Sequence, residues 1–474
     1  MGRSTEPFFL SVVSPGGARR RRVPARYHPG MDAFRLPLGA LCALLLAACA
    51  ATPPADPAVL SLRERAQVHD AWLNRRLDTL VPELMRREGI AMWILVARED
   101  NEDPVLATML PASWLGGARR RTILVFHDHG GERGVERLAV ARYPVGDAFP
   151  SAWDKEQQPD QWARLDELVA ERDPATIALD VSPTFAKADG LSASEHEALL
   201  AALGPRATRV VSAEGLAVGW LETRIPEELE LYPGIVAVAH AILAEGLSSQ
   251  AITPGRTTTQ DLQWWFRERV AELRLGTWFH PSVSVQSAGG AARDGSFADE
   301  RGGDLIRRGD LVHVDFGITY LGLNTDTQQH AYVLREGELE APAGLSQAMA
   351  VGNRLQDLLM AEFVTGRTGN QILAAALAVA EAEGIDATIY THPLGHHGHG
   401  AGPTIGMWDQ QGGVPGSGDY PLFPSTAYSI ELMAAVPVPE WGETVRIMLE
   451  EDALFDGERV RWLDGRQTRL HLVR

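Results

Sequence analysis

Acidic and imidazole side chains recur inside apolar runs of this chain, where an ionised group is unstable unless paired or bound to a cation. Residues 311–318 (LVHVDFGI) alternate like a strand and carry Asp315, and residues 325–334 (TDTQQHAYVL) read as a second strand carrying Asp326. Residues 320–324, with Gly322, join them. A turn centred between Tyr320 and Leu321 sets Asp315 directly opposite Asp326. Two carboxylates so placed repel each other, and Asp is depleted in strands; a cation between them removes the penalty. Downstream, His392-Pro-Leu-Gly-His-His-Gly-His399 gathers four histidines, interleaved with glycines that let backbone approach a ligand. Imidazole is both a metal ligand and an acid–base group near neutral pH. Glu431 lies in the apolar run 428–432 (YSIEL), and Glu450, Glu451 and Asp452 lie in 445–455 (VRIMLEEDALF). Glu451 shares a strand face with Ala453 and Phe455, which makes it the expected inward carboxylate, with Glu450 as the alternative.

Four carboxylates and an imidazole form a hard, oxygen-rich set, suited to two divalent ions such as manganese rather than to a thiolate zinc site. Two ions about 4 Å apart can clamp a hydrolytic transition state.

These residues need elements to hold them. Residues 60–88 read as a helix, with Pro82 as a potential kink and Gly89 as the stop. Strands are expected at 91–97, 122–127, 138–143 and 176–180, and a helix at 192–203 opened by a Ser-x-x-Glu capping box. This alternation predicts an α/β layer domain with no catalytic cluster, a scaffold or dimerisation domain. From Arg224 the texture changes. Residues 226–245 are helical, with Pro233-Gly234 as an interruption, and 257–273 form a second helix. The pattern G-R-T-x-x-Q-x-L occurs at 255–262 and again at 366–373. It predicts two similar halves with a site between them. Trp264 and Trp265 are neighbours on a helix and point about 100° apart, so they read as packing residues. His280-Pro281 precedes a strand-like run, and a place at the border of a cleft is only the minor reading of this histidine.

The chain has 474 residues, with 62 acidic against 44 basic, a net charge of -18 that disfavours nucleic-acid binding. Lys155 and Lys187 are the only lysines, and Cys42 and Cys49 the only cysteines. No disulfide framework or thiolate zinc site is therefore expected in the folded part. Residues 36–48 (LPLGALCALLLAA) follow four consecutive arginines at 19–22 and have the length of a signal-peptide core. Leu46-Ala47-Ala48-Cys49 resembles a bacterial lipobox, which makes Cys49 the expected lipidation site. Ala50 and Ala51 then favour the periplasmic face of the outer membrane. Met31 offers a shorter start, so residues 1–30 read as a misassigned extension. Residues 50–59 form a Pro/Ala tether, and no other apolar run looks long enough to span a bilayer.

The order Asp, Asp, His, Glu, Glu resembles that of the pita-bread metallopeptidases of family M24, which include Xaa-Pro aminopeptidase, prolidase and methionine aminopeptidase, with creatinase as a non-peptidase relative. Asp315 and Asp326 fit D-x10-D. His392-Pro-Leu-Gly395 with His399 fits H-x-[IL]-G followed by a second histidine seven residues on. Ser429-Ile-Glu431 fits T-I-E, and Glu451-Asp452 fits the closing E-D. The resemblance covers roughly residues 225–474, and the preceding domain looks like that of the prolidase and creatinase branch. After the signal peptide (1–48) and tether (49–59), it implies an α+β architecture: a smaller α/β domain 60–220 and a pita-bread domain 221–474 with two similar halves. It implies two divalent ions (manganese, with cobalt or zinc as alternatives) on Asp315, Asp326, His392, Glu431 and Glu451. His396 and His399 are the alternate imidazoles and Glu450 the alternate carboxylate. Glu431 would also shuttle a proton, and His399 would steady the tetrahedral intermediate. The implied activity is a lipid-anchored aminopeptidase on small peptides, Xaa-Pro by preference, with a homodimer as an allowed assembly. A creatinase-like hydrolase and a non-catalytic binding lipoprotein are the alternatives. The sequence departs from the family at Asp326-Thr-Gln-Gln, where D-x-T-R-T is usual, and at Met448-Leu-Glu-Glu-Asp, where R-I-E-D is usual.

Overall fold

The structure is a computed structural model that describes residues 59–114, 116–289 and 303–474. The signal-peptide, lipobox and start-site expectations, and nearly all of the tether, fall outside those residues. The first described element is helix α1 (Leu62–Glu88), opened by a capping box between Ser61 and Glu64 and closed by Gly89 at φ 66°. It runs unbroken through Pro82 and buries Leu73, Leu77, Leu80 and Leu84. Strands β1 (Met92–Arg98), β2 (Arg121–Asp128) and β3 (Val135–Val140) follow. Then come α2 (Gln161–Arg172), β4 (Ile177–Leu179), α3 (Ala193–Leu203), β5 (Val210–Ser212) and α4 (Glu214–Glu222). The strands form one sheet in the order β3-β2-β1-β4-β5, parallel at β1–β4 and β4–β5 and antiparallel elsewhere. Helices α1 and α4 pack on one face around Trp93, Phe126 and Trp220, while α2 and α3 cover the other through Leu165 and Leu199. Burial on both faces explains why β1 is apolar from Met92 to Ala97, up to the exposed Arg98 at its end. Two local expectations fail. The third strand lies three residues upstream of the expected 138–143. No capping box forms at Ser192, because Glu195 turns into the domain and pairs with Arg121 at 2.5 and 3.0 Å.

The remainder opens with α5 (Pro226–Gly246), continuous through Pro233, and α6 (Thr259–Glu272). Next come β6 (Ser282–Gln286), β7 (Leu311–Phe316), the hairpin β8 (Thr319–Tyr320) and β9 (Leu323–Asn324), and β10 (Thr327–Val333). After α7 (Ala343–Ala361) and α8 (Gly369–Ala382) the chain is mainly strands: β11 (Asp386–Ile389), β12 (His392–Leu394), β13 (Thr426–Ser429) and β14 (Leu432–Val438). The last are β15 (Glu443–Leu449), β16 (Asp452–Phe455), β17 (Val460–Trp462) and β18 (His471–Val473). Beside the two-stranded β8-β9 hairpin, the described residues form sheets ordered β18-β10-β7-β6, β11-β14-β15 and β12-β13-β16-β17. One apolar cluster joins α5 and α6 to β6 and β7, and a second joins α7 and α8 to β14 and β15. This is an α+β fold, an α/β domain followed by a pita-bread domain. By length and composition α5 is apolar enough to cross a membrane, contrary to the expectation from sequence. Here it is a core helix: Ile235, Ala239 and Ile242 pack inward, and its buried Glu228 pairs with Arg76 of α1 at 3.0 Å.

The repeated motif builds the same device twice. The Gly255 N–H donates to Ile306 O at 2.7 Å and the Gly366 N–H to Leu422 O at 2.9 Å. Thr258 then caps α6 in a box with Asp261, and Thr368 caps α8 in a box with Gln371. The first copy has one more residue between glycine and cap, so the two matched glutamines are not structurally equivalent.

Candidate metal centre

Four of the acid and imidazole residues stand at three points where the chain leaves one sheet for another. Between β11 and β12 it crosses sheets just before His392; between β13 and β14 it crosses at Glu431; between β15 and β16 it crosses at Glu450 and Glu451. Asp315 lies on β7, and Asp326 immediately precedes β10. The Gln328–Glu450 backbone bridge ties the β7–β10 sheet to the last crossing. The seam between the sheets therefore collects Asp315, Asp326, His392, Glu431 and Glu450. Ligand atoms of Asp315, Asp326 and Glu450 lie within 4.8 Å of one another, as do those of His392, Glu431 and Glu450. The His392 Nε2 atom stands 3.5 Å from Asp326, 3.5 Å from Glu450 and 3.8 Å from Glu431.

The two strands pair in a register two residues away from that expected. Asp315 faces Gln328, because the tight turn centres between Leu321 and Gly322. Both turn residues have positive φ, 56° and 76°, as a type I′ hairpin demands; the leucine at the first position hides the signal. A shift of two keeps side chains on the same face, so Asp315 and Asp326 remain neighbours, diagonally rather than directly.

The carboxylate contributed by the last crossing is Glu450. Alternation within one strand favoured Glu451, but residues 445–455 are two strands in different sheets, and the alternation breaks between them. Glu451 turns away from the cluster. It accepts hydrogen bonds from Gln329 Nε2 at 2.9 Å and the Gln467 N–H at 2.7 Å, and pairs with His240 Nε2 at 2.7 Å. The other His240 nitrogen meets Asp464 at 2.7 Å. Burial alone would lower the His240 pKa, but the hydrogen bonds and charges of Glu451 and Asp464 raise it to about 9.

The histidines separate by position. His392 is buried, and its Nδ1 meets the Pro393 carbonyl at 3.0 Å; a carbonyl only accepts, so Nδ1 carries a proton and Nε2 is the nitrogen that faces the cluster. Nε2 has no hydrogen-bond partner. The His399 ring lies 4.6 Å from that of His392 and 5.1 Å from Trp278, and its ligand nitrogen is within 4.8 Å of Asp326. Desolvation and the neighbouring His392 push His399 down to about 4, so it is neutral at physiological pH. His396 points elsewhere, toward Gly322 O at 3.3 Å, beside Arg224 and Arg76. The glycines of this loop admit protein rather than ligand: a Cβ on Gly398 would lie 2.1 Å from the Trp278 ring.

Sequence reasoning missed Gln328. Its amide donates to both Glu431 and Glu450, the latter at 2.7 Å, and its carbonyl accepts from His313 Nε2 at 2.9 Å. Burial drives His313 down to about 4, which keeps it neutral. Ser429 donates to Glu450, and the Asp326 N–H to Asp452 at 3.2 Å. The signal for Gln328 was available as the departure from D-x-T-R-T two residues after Asp326. Trp264 is exposed, with the His280 ring tilted against it at 5.3 Å, whereas Trp265 packs on Phe266. His280 is not a cavity residue; the preceding Trp278 and Phe279 are.

Burial first, then Glu450, raises Asp326 well above the usual carboxylate range. Burial and then Glu450, Asp326 and Asp315 do the same to Glu431. For His392, burial disfavours the charge, but Glu450 outweighs it and the net shift is upward. Crowded acids, an unpartnered buried Asp326 Oδ1 and an unpartnered His392 Nε2 are what a cation in their midst would satisfy. The donor set of oxygens and one or two imidazoles fits divalent manganese, cobalt or zinc. A cavity of about 450 Å³ opens onto the cluster, walled by Trp278, Phe279, Tyr390, Met407 and Trp408.

Residues 235–453 match the model of metallopeptidase family M24. No curated protein matches the chain. Among solved structures it is similar to an X-Pro aminopeptidase from Thermotoga maritima, with 18% identity and a TM-score of 0.59, over 82% of this chain and 100% of the other. It is also similar to a dipeptidase from Pyrococcus horikoshii (18%, 0.55, 84% and 100%) and to an Xaa-Pro dipeptidase from Bacillus anthracis (15%, 0.54, 87% and 100%). At such identities the likeness is one of fold.

Proposed function

We propose that residues 235–453, which match the model of metallopeptidase family M24, form a dinuclear-metal peptidase that removes N-terminal residues, preferentially from Xaa-Pro peptides. The observation that carries this reading is the convergence of Asp315, Asp326, His392, Glu431 and Glu450 on one buried point beside the cavity. These five would hold two divalent ions, manganese by preference; Glu450 replaces Glu451 in the set read from sequence. Bound there, the ions supply Lewis acidity toward the scissile carbonyl and an activated water.

The chain's own groups do the rest. Trp278, Phe279 and Trp408 offer aromatic walls that suit a proline ring and exclude water from the scissile bond. Gln328 holds Glu431 and Glu450 in one orientation. Glu431, pushed upward by burial and its acidic neighbours, is suited to hold a proton and pass it to the leaving amine. Neutral His399 stands at the cavity with an N–H to donate to the oxygen on which charge develops.

The test is manganese-loaded protein against a library of dipeptides and tripeptides, with creatine as a control. Release of the first residue from Xaa-Pro peptides is expected. Hydrolysis of creatine alone would move the reading to a creatinase-like enzyme, and turnover of nothing despite full metal loading would move it to a binding protein. Anchoring by a lipid on Cys49, at the periplasmic face of the outer membrane, is proposed from the lipobox and Ala50-Ala51. Labelled fatty acid entering the parent but not Cys49→Ser is the expected result; labelling of both, or of neither, contradicts it.

A further inference from the structure

A second cluster of ligating side chains lies in the α/β domain. Strand β2 ends His127-Asp128, and His129 follows. Glu136 on β3 is the direct cross-strand partner of His127, and the His129 N–H donates to Gly134 O at 3.0 Å, which extends the pairing. Alternation therefore puts His127, His129 and Glu136 on one face, while Asp128 points to the other and meets Arg86 of α1 at 3.2 Å. The two imidazole rings are 4.5 Å apart, edge to face, and His129 Nε2 is 3.5 Å from Glu136. All three ligand atoms lie within 4.8 Å of one another. His127 is only 8% exposed, yet its Nδ1 has no hydrogen-bond partner.

Arg172 of α2 grips both oxygens of Glu136 at 2.6 and 2.9 Å. A guanidinium so placed disfavours a second cation, but it also fixes the carboxylate while leaving each oxygen a lone pair, the arrangement found around ligating carboxylates. Burial, then His129 and Arg172, hold His127 below its usual value, in the neutral form that binds metal.

We propose that His127, His129 and Glu136 form a transition-metal site in the α/β domain, separate from the catalytic cluster, with Arg172 positioning Glu136. Two imidazoles, one carboxylate and no thiolate suit zinc, nickel or copper. β3 is an edge of the sheet, so the ion would pin this edge strand to its neighbour β2.

The experiment uses the full chain, loaded with manganese and dialysed against zinc, with bound metal counted by elemental mass spectrometry. Parent protein should hold one more zinc than His129→Ala or Glu136→Gln, and only the parent should gain thermal stability at the hairpin, read by hydrogen exchange of β3. Zinc that replaces manganese at the catalytic cluster does so equally in all three proteins and cancels. Arg172→Gln should weaken this zinc about 10–100-fold while peptide hydrolysis stays unchanged. Equal zinc counts in the parent and both ligand variants would overturn the proposal. Absence of peptide hydrolysis in the parent would bear only on the proposed peptidase activity.

Discussion

Replacing Gln328 by Met keeps the volume of the side chain and removes its hydrogen bonds, which makes it a clean test of how the acidic cluster is held. Two donations to buried carboxylates are lost, to Glu431 and to Glu450, and His313 loses the acceptor for its Nε2–H. The two losses separate in the assay. His313 is buried and neutral, so its orphaned N–H should lower unfolding free energy by about 1–3 kcal/mol with or without metal. The carboxylates, by contrast, gain cation contacts when loaded, so what the loaded state loses is their orientation. Loss of such an outer hydrogen bond costs about 10–100-fold in metal affinity. That corresponds to roughly 1.4–2.7 kcal/mol, the size of one charge-assisted hydrogen bond. Manganese binding would be followed by calorimetry on parent and variant, alongside denaturant unfolding of the metal-free proteins. Parent-like affinity in a variant whose stability has fallen by the expected amount would refute the idea that Gln328 orients Glu431 and Glu450.

Glu450→Ala should abolish binding of at least one ion with the fold intact, whereas Glu451→Ala should unfold more readily by about 1–3 kcal/mol, because it takes the acceptor from the buried Gln329 amide and Gln467 N–H and one of two partners from half-buried His240; metal counts and melts on both variants decide. His392→Ala should lose metal and turnover together, His399→Ala should keep metal but turn over about 10²–10³ more slowly, and His396→Ala should be mild. Full metal occupancy in His392→Ala would contradict this division. His240 has a folded pKa raised to about 9 from 6.5, so its contribution, of order 3 kcal/mol, is fully present below roughly pH 6.5 and lost as pH rises through 9. Stability of the parent should fall across that window more steeply than that of His240→Gln, and parallel curves would exclude the Glu451–His240–Asp464 pairing.

The sequence by itself determined which residue types had to be compensated. Asp315, Asp326, His392 and Glu431 stand in apolar runs, and burial of charge without a partner is prohibitive wherever the chain goes. Helix ends were equally local: Thr258 and Thr368 cap their helices through bonds within one turn. Only the tertiary structure decided between Glu450 and Glu451, because alternation holds within a strand and fails where the chain passes from β15 to β16 and changes sheets. The hairpin register depended likewise on a leucine adopting positive φ, a conformation its side chain disfavours and the surrounding pairing enforces. Gln328 carries no charge to flag it; its importance comes from three groups far apart in the chain, His313, Glu431 and Glu450, which meet at its amide only after the sheets have come together.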